Sequence, residues 1–334
     1  MITPAQTKQC QMIVEQLADG NFYSGEELNL LLNTSRTTVW KIIHTLKNLG
    51  IDIVALHGKG YKIPGGMELL TQKAILSYMP VDIAELLASL QLFFVIDSTN
   101  RYLLEEVRKG SVAPRVCIAE CQTFGHGRRG RPWFSPFGCN IYCSLHWCFN
   151  NPLASLIGLP LAISVAVLRT LKYFGITVQV KWPNDICFEE QKLAGILVEV
   201  VGDAAGPCHA VIGIGLNVQR MRGQSKDYLI DQPWLSLESL CVPAIPLSRN
   251  KITAKLLEVL VQVLNDYEQF GLAPFLDEWR AADSLLGVKV KITTPTETMI
   301  GIAQGIDDSG ALIVDCDNQR QYFRGNAVSI RKYD

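Results

Sequence analysis

The apolar and polar positions change period several times along the chain. Ile13, Val14 and Leu17 recur at helical spacing and stop at Asp19-Gly20. Ser24-Gly25-Glu26-Glu27 has the S-x-x-E form of a capping box and predicts a short helix running through Leu32. Asn33-Thr34 is a tight connection, and Ser35 is placed to N-cap a third helix from Arg36 to about Asn48, closed by Gly50. Its Val39, Ile42, Ile43, Leu46 and Leu49 share one face. Residues 51–63 then alternate and turn at Gly58-Lys59-Gly60, which predicts a two-stranded wing. Helix, short helix, turn, helix and wing together form the winged helix-turn-helix pattern.

Pro64-Gly65-Gly66 reads as a linker. Beyond it, helices over 74–77, 102–109, 156–174 and 249–270 mix with apolar strands over 92–96, 116–120, 140–147, 178–181, 195–201 and 210–215. Several strands follow one another without a crossover helix, so the sheet is expected to be mixed or mostly antiparallel, in an α+β domain. From about Leu285 the strands shorten, to 288–293, 298–306, 311–315 and 319–323, with breaks at Thr294-Pro295 and residues 307–310. A small β-barrel of SH3-like size is expected there. The expected domains are 1–64, 67–272 and 284–334.

Composition narrows the function. Formal net charge is −1, so no global field draws the chain to nucleic acid or membrane and any such affinity is local. Residues 1–33 hold one Lys or Arg against four Asp or Glu, whereas 34–64 hold Arg36, Lys41, Lys47, Lys59 and Lys62 against Asp52 alone. The positive charge falls on the third helix and wing, where phosphates and base edges would be met. The candidate DNA contacts are Ser35, Arg36, Thr37, Thr38, Lys41, Lys59 and Lys62.

The opening residues lack the apolar core of a secretory signal, and the apolar run 156–168, interrupted by Pro160, is too short to span a bilayer. The ten cysteines show neither CxxC nor Cys/His zinc spacing and read as reduced, buried residues. A cytoplasmic protein with no membrane partner, no disulfide framework and no metal-ligand cluster is expected.

The chemistry concentrates in Gly125-His126-Gly127-Arg128-Arg129-Gly130-Arg131-Pro132-Trp133. Glycines allow close backbone approach, arginines supply forked donors, and residues 121–180 contain no Asp or Glu, which suits an anionic ligand. The chain has no GxxxxGK[ST] P-loop. Val180-Lys181-Trp182-Pro183-Asn184-Asp185-Ile186 ends a strand in a charged turn, and Lys192 opens the next strand beside an apolar sheet. There, a desolvated cation neutralises a reacting carboxylate and phosphate, although a lone lysine at a strand end also suits simple snorkelling. Gly213-Ile214-Gly215-Leu216-Asn217 lacks a third glycine and a following helix, and reads as a strand turning at a ligand pocket rather than a Rossmann site.

In order along the chain, Asp97-Ser98-Thr99-Asn100, Glu120-Cys121-Gln122, GHGRRGRPWFSPFG, KWPND, KLAGILVE and GIGLN resemble the biotin protein ligases. With SGEELNLLLNTSRTTVWKIIHTLKNLG and GKGYKI before them, the likeness is to the bifunctional biotin ligase and biotin operon repressor group. The resemblance implies a class II aminoacyl-tRNA synthetase-like ligase domain that consumes ATP and Mg2+ and makes biotinyl-5'-AMP. It implies transfer of biotin to the biotin carboxyl carrier protein of acetyl-CoA carboxylase, and binding to operator DNA as a homodimer promoted by biotinyl-AMP. By position, Ser98, Thr99, Asn100, Gln122, His126, Gly127, Arg128 and Lys192 hold biotin. Gly125, Arg128, Arg131, Trp133, Lys181, Asn184, Asp185, Asn217 and Trp234 serve the nucleotide, and Lys192 and Arg128 are the catalytic pair. His126 replaces the family's usual arginine, and Pro132 stands where a basic residue is common. The alternatives are a lipoate or octanoate ligase and a ligand-sensing repressor without catalysis.

Overall fold

The computed structural model describes residues 4–202, 206–220, 232–240, 248–294, 296–316, 319–325 and 328–333. The N-terminal unit has the expected order: α1 (Pro4–Leu17), α2 (Gly25–Leu32), α3 (Arg36–Asn48) and the antiparallel hairpin of β1 (Val54–Leu56) and β2 (Gly60–Lys62). The capping box at Ser24 is complete, with Glu27 reaching back to the Ser24 N–H, and Ser35 caps α3. Ile13, Val14, Leu17, Leu28, Val39, Ile42, Ile43 and Leu46 are buried together, as their spacing requires. Gly60, at φ 99°, is dictated by the bridge between Tyr23 and Tyr61: a Cβ there would lie 2.0 Å from the Tyr23 carbonyl oxygen.

The unit does not float on its linker. Its core continues through Phe94, Cys121 and Phe137 of the next domain. The linker is also clamped: Met67 N–H donates to the Ala18 carbonyl at 2.9 Å, and Gly20 packs on the Gly66 backbone too closely for any Cβ.

The central domain follows with α4 (Gln72–Ser77), α5 (Val81–Leu86), β3 (Gln91–Phe93), α6 (Thr99–Arg108), β4 (Arg115–Ala119), β5 (Ile141–Phe149) and α7 (Leu159–Tyr173). It continues through β6 (Gln179–Lys181), β7 (Asp185–Phe188), β8 (Gln191–Gly202), β9 (Cys208–Leu216), α8 (Arg249–Phe270) and α9 (Leu276–Ala281). The seven-stranded sheet runs β3-β4-β5-β9-β8-β7-β6 and is mixed as expected, with β3 parallel to β4 and all other pairs antiparallel. α7 and α8 cover one face, while α6 lies on the other across β4, β5 and β9. The apolar stretch Leu153–Tyr173 has the length and composition of a membrane span, yet α7 is packed inside this core.

The structure differs from the sequence pattern in several places. α5, β7, α9 and a strand over 329–332 are additional to it, and β8 begins at Gln191, one residue before Lys192. Gly213 and Gly215 sit inside the paired strand β9 rather than at a turn, leaving bare sheet where side chains would stand. α6 begins at Thr99, because Ser98 is its N-cap.

The last unit is an antiparallel sheet of β10 (Lys289–Thr293), β11 (Thr298–Ile306), β12 (Leu312–Cys316), β13 (Gln319–Phe323) and β14 (Ser329–Lys332), in the order β13-β12-β11-β10-β14. Pro295, half of the expected break after β10, lies outside the described residues. No β13–β14 pairing is among these contacts of the described residues, so the expected closure into a barrel does not appear there. Val290, Ile292, Leu312 and Val314 join the same core as α7 and α8. Trp182 Nε1 donates to the Gly310 carbonyl at 3.1 Å, and Arg280 pairs with Asp308 at 2.7 Å.

Candidate active site and nucleic-acid interface

A cleft of about 1850 Å³ opens on the α6 face of the central sheet, and every residue assigned above to biotin or nucleotide lines it. Its floor is glycine. Gly195 pairs with Gly215 in register, and Gly213 lies two residues further along β9. A Cβ on Gly215 or Gly195 would meet the Trp133 ring at 2.5 or 2.9 Å, and one on Gly213 would meet the Asn100 amide at 2.2 Å. These glycines exist to let Trp133 and Asn100 lie flat on the sheet.

One end of the floor is a buried polar chain. The Thr99 N–H and hydroxyl reach Gln122 Oε1 at 2.9 and 3.1 Å. Ser144 Oγ lies 2.7 Å from Thr99 Oγ1 and 2.6 Å from Asn100 Oδ1. Asn100 Nδ2 donates to Glu199 at 2.8 Å, and Gln122 Nε2 donates to Ser135 at 3.2 Å. Ser98 is buried, and its hydroxyl accepts the Arg101 N–H at 3.4 Å as the cap of α6.

The other end is charged. Lys192 Nζ is 2.8 Å from the Asp185 carboxylate and 5.3 Å from the centre of the Trp133 ring. Its aim depends on a β-bulge: Ile186 pairs with Ala194 but Cys187 pairs with Lys192, leaving Leu193 as the extra residue. Without it, Lys192 and Gly195, three apart, would face opposite sides of the sheet. Instead the Lys192 chain lies over Gly195. The lysine that sequence places alone at a strand end is therefore ion-paired and one residue inside the strand. Asn217 braces the same stretch through the Lys192 and Leu193 carbonyls. Trp234 bridges Lys192 on its other side and carries Arg220 over its ring at 5.5 Å. Lys181 stands opposite Asp185 in the β6–β7 pairing.

The Gly-rich loop folds over this cleft as a short hairpin. Gly127 N–H donates to the Arg131 carbonyl and Trp133 N–H to Gly125, both at 2.8 Å. Arg129 and Gly130 make the turn at φ 58° and 69°. Arg128 points inward, donating to Asn184 Oδ1 at 3.0 Å and to the Gly325 carbonyl of the C-terminal sheet domain. Burial lowers the pKa of its guanidinium and Asp185 opposes that shift. Arg131 is exposed at the loop exit. His126 Nε2 lies 4.0 Å from Glu199. The cysteines lining the cleft are poor nucleophiles: burial pushes Cys121 up to about 12 and raises Cys187 as well.

On the N-terminal unit, Arg36, Thr37 and Lys41 are exposed along α3, and Lys59 is exposed on the wing with Lys62 partly covered. Ser35 and Thr38 are occupied differently: their hydroxyls bond one another at 3.0 Å within the helix cap. Phe22 supports both wing lysines, which lie 5.9 and 4.8 Å from its ring centre. Two residues that charge counting passes over complete the face. Trp40 is 59% exposed and stacks on His44, with ring centres 5.7 Å apart. Glu199 was likewise missed, since one carboxylate in an apolar strand carries no motif.

Three family models match the chain: an HTH domain over residues 11–62, the Biotin/lipoate A/B protein ligase family over 92–217, and the Biotin protein ligase C terminal domain over 285–331. The bifunctional ligase/repressor BirA of Escherichia coli (strain K12) is 38% identical over 323 residues, covering 96% of each chain. A biotin–[acetyl-CoA-carboxylase] ligase of Mycobacterium tuberculosis is 34% identical over 230 residues, covering 65% of this chain and 80% of its own. In fold, the chain resembles a biotin protein ligase from Aquifex aeolicus solved in complex with biotin and ATP. The TM-score is 0.61 at 24% identity, covering 73% of this chain and 99% of that one. This chain belongs to the bifunctional ligase/repressor family and is a biotin protein ligase carrying an N-terminal helix-turn-helix domain.

Proposed function

We propose that the chain activates biotin with ATP and transfers it to one lysine of a biotin carboxyl carrier protein domain of acetyl-CoA carboxylase. The observation that carries this reading is the cleft itself: a glycine floor with a polar chain at one end, and Lys192, Arg128 and Asp185 at the other. The ring end of biotin belongs at Ser98, Thr99, Asn100 and Gln122, where donors and acceptors alternate. Its carboxylate belongs at Lys192, with Gly125, His126, Gly127 and Arg128 closing over it.

A carboxylate oxygen attacks the α-phosphorus of ATP, and the bond to pyrophosphate breaks, leaving biotinyl-5'-AMP. The carrier lysine amine then attacks the acyl carbon, loses its proton, and AMP leaves. Lys192 and Arg128 stabilise the charge that grows on phosphate in the first step, held in place beforehand by Asp185, Asn184 and the Gly325 carbonyl. Arg131, Lys181, Asn184, Asn217, Trp133 and Trp234 are proposed to seat the nucleotide. Mg2+ suits Asp185, since this cation binds through one or two carboxylates together with substrate phosphates. It would shield phosphate charge there. Release of pyrophosphate that depends on biotin but not lipoate, and a biotin mass increment on one carrier lysine, test the reading. Failure of either overturns it.

The N-terminal unit is proposed to bind operator DNA through Arg36, Thr37, Lys41, Lys59 and Lys62, with Ser35 and Thr38 holding the start of α3. A single winged helix touches little DNA, so a homodimer on paired half-sites is proposed, promoted by biotinyl-5'-AMP. Sedimentation with and without biotinyl-5'-AMP checks this, and an unchanged monomer–dimer equilibrium rejects it. Three domains, 1–64, 67–272 and 284–334, the last an SH3-like barrel, and a cytoplasmic location complete the proposal.

A further inference from the structure

The polar chain on the sheet floor ends at Glu199, a β8 residue with no part in the chemistry proposed so far. Glu199 faces the same side as Gly195, Gly213 and Gly215, and its Oε2 accepts from Asn100 Nδ2 at 2.8 Å. We infer that Glu199 is a positioning residue: its carboxylate sets the Asn100 amide and, through it, the Ser144 hydroxyl at the ring end of the biotin site. The inference rests on biotin being the substrate.

A carboxylate only accepts, so the Asn100 NH2 must turn to Glu199 and its oxygen to Ser144. Ser144, fully buried, has one proton, and the 2.6 Å contact to Asn100 Oδ1 takes it. The Thr99 hydroxyl lies 2.7 Å from Ser144 Oγ and donates to Gln122 Oε1 at 3.1 Å, so it carries the chain on to Gln122. Gln122 Oε1 remains held by the Thr99 N–H, which turns the Gln122 NH2 toward Ser135 and the cleft. Asn100 cannot retreat, because it lies against Gly213 where even a Cβ would collide. Without Glu199 the Asn100 amide is free to turn over, and the Ser144 proton turns from Asn100 Oδ1 to Thr99 Oγ1 with it. A ureido ring presents one acceptor and two donors, and only one setting of the chain matches it.

Glu199 also stands 4.0 Å from His126 Nε2, so a second route, through the loop, competes with the first. The experiment separates them in the full-length protein, by pyrophosphate release against biotin concentration. Glu199→Ala raises the biotin KM roughly 10- to 100-fold, the worth of a hydrogen bond to a charged group, with kcat within about threefold. Glu199→Gln, which can still accept from Asn100, stays within about threefold of wild type on the same scale. Asn100→Asp sets two carboxylates against each other and raises KM. Adding Glu199→Gln restores a donor–acceptor pair and recovers most of that loss, which a packing role would not do. Urea midpoints track folding, and the Asn100→Asp pair carries the test if Glu199→Ala does not fold. An unchanged KM in Glu199→Ala, no recovery in the double variant, or coupling of Glu199 to His126 alone overturns the inference. A wild type that releases no pyrophosphate with biotin overturns the biotin reading beneath it.

Discussion

The Arg249 guanidinium lies 2.7 Å from the Glu120 carboxylate, and neither side chain reaches solvent. Glu120 directly follows β4, two residues before Gln122 of the buried polar chain, while Arg249 opens α8. Glu120 also accepts from the Leu70 N–H, and Arg249 donates to the Glu68 carbonyl, so the pair ties the chain just after the linker to β4 and α8. Removing one partner strands a buried charge. Arg249→Met is expected to destabilise the central domain by about 3–5 kcal/mol. The double variant Arg249→Met, Glu120→Leu should recover much of that, because the pair's desolvation cost disappears with it. Urea denaturation followed by tryptophan fluorescence measures both. Equal losses in the single and double variants would show that the pair's geometry, not its charge balance, supports the fold.

Lys192 and Arg128 should separate the two half-reactions. Lys192→Ala removes the cation proposed to face the phosphoryl centre and should slow pyrophosphate release about 10²- to 10³-fold. Arg128→Ala frees Asn184 Oδ1 and the Gly325 carbonyl together, loosening the loop from both the KWPND turn and the C-terminal domain. Biotinyl-5'-AMP then escapes before transfer. The readout is biotinylation of bystander lysines by mass spectrometry, and an unchanged product spectrum contradicts this role.

Much of this architecture is legible in the residues because its signals are local. The capping box at Ser24, the Ser35 cap and the face of α3 need no tertiary information. The β7–β8 hairpin is different. Its two-residue loop is Glu189-Glu190, both at positive φ (45° and 71°), where Asn-Gly or Asp-Gly is the usual signal. Nothing in the residues announces that turn, so β7 was invisible. The bulge at Leu193 that turns Lys192 into the cleft was invisible for the same reason. The glycine floor is half legible: Gly213 and Gly215 stand out in the sequence, but the reason for them, the Trp133 ring and the Asn100 amide lying on top, exists only once the strands pair.

Stability should depend on pH through Asp283. It sits beside β6, where Leu285 N–H donates to Oδ1, while Oδ2 is buried without a hydrogen-bond partner. Burial pushes this carboxyl up to about 6, and the Leu285 bond opposes the shift. Protonation therefore favours the folded state. The stability from the neutral form is fully present below the unfolded pKa of about 3.9 and is lost as pH rises through the folded value. Asp283→Asn keeps the acceptor for Leu285 and never ionises. Its urea midpoint should exceed that of wild type above pH 7 and converge with it toward pH 4. Parallel curves for the two proteins would place the charge elsewhere.

DNA recognition should divide between charge and aromatic surface on α3. Lys41 and Lys59 are exposed and suited to phosphates, and each Lys→Ala change should weaken binding to all sequences alike, reducing the salt slope by about one. Trp40 differs in kind. More than half exposed, it forms with His44 a flat apolar plate between the basic residues of the same helix. The major groove offers such a plate thymine methyl groups to pack against. Trp40→Ala should leave the salt slope unchanged but lower discrimination at one base pair by the equivalent of about 1–3 kcal/mol. Ser35→Ala, by contrast, removes the α3 cap and should cost about 0.5–2 kcal/mol of stability in the N-terminal unit, weakening every sequence through the fold rather than the contact. Fluorescence anisotropy on a set of single-base operator variants, repeated at several salt concentrations, distinguishes the three behaviours. If Trp40→Ala weakens all sequences equally, the plate serves packing or assembly, and base reading falls to Arg36 and Thr37 alone.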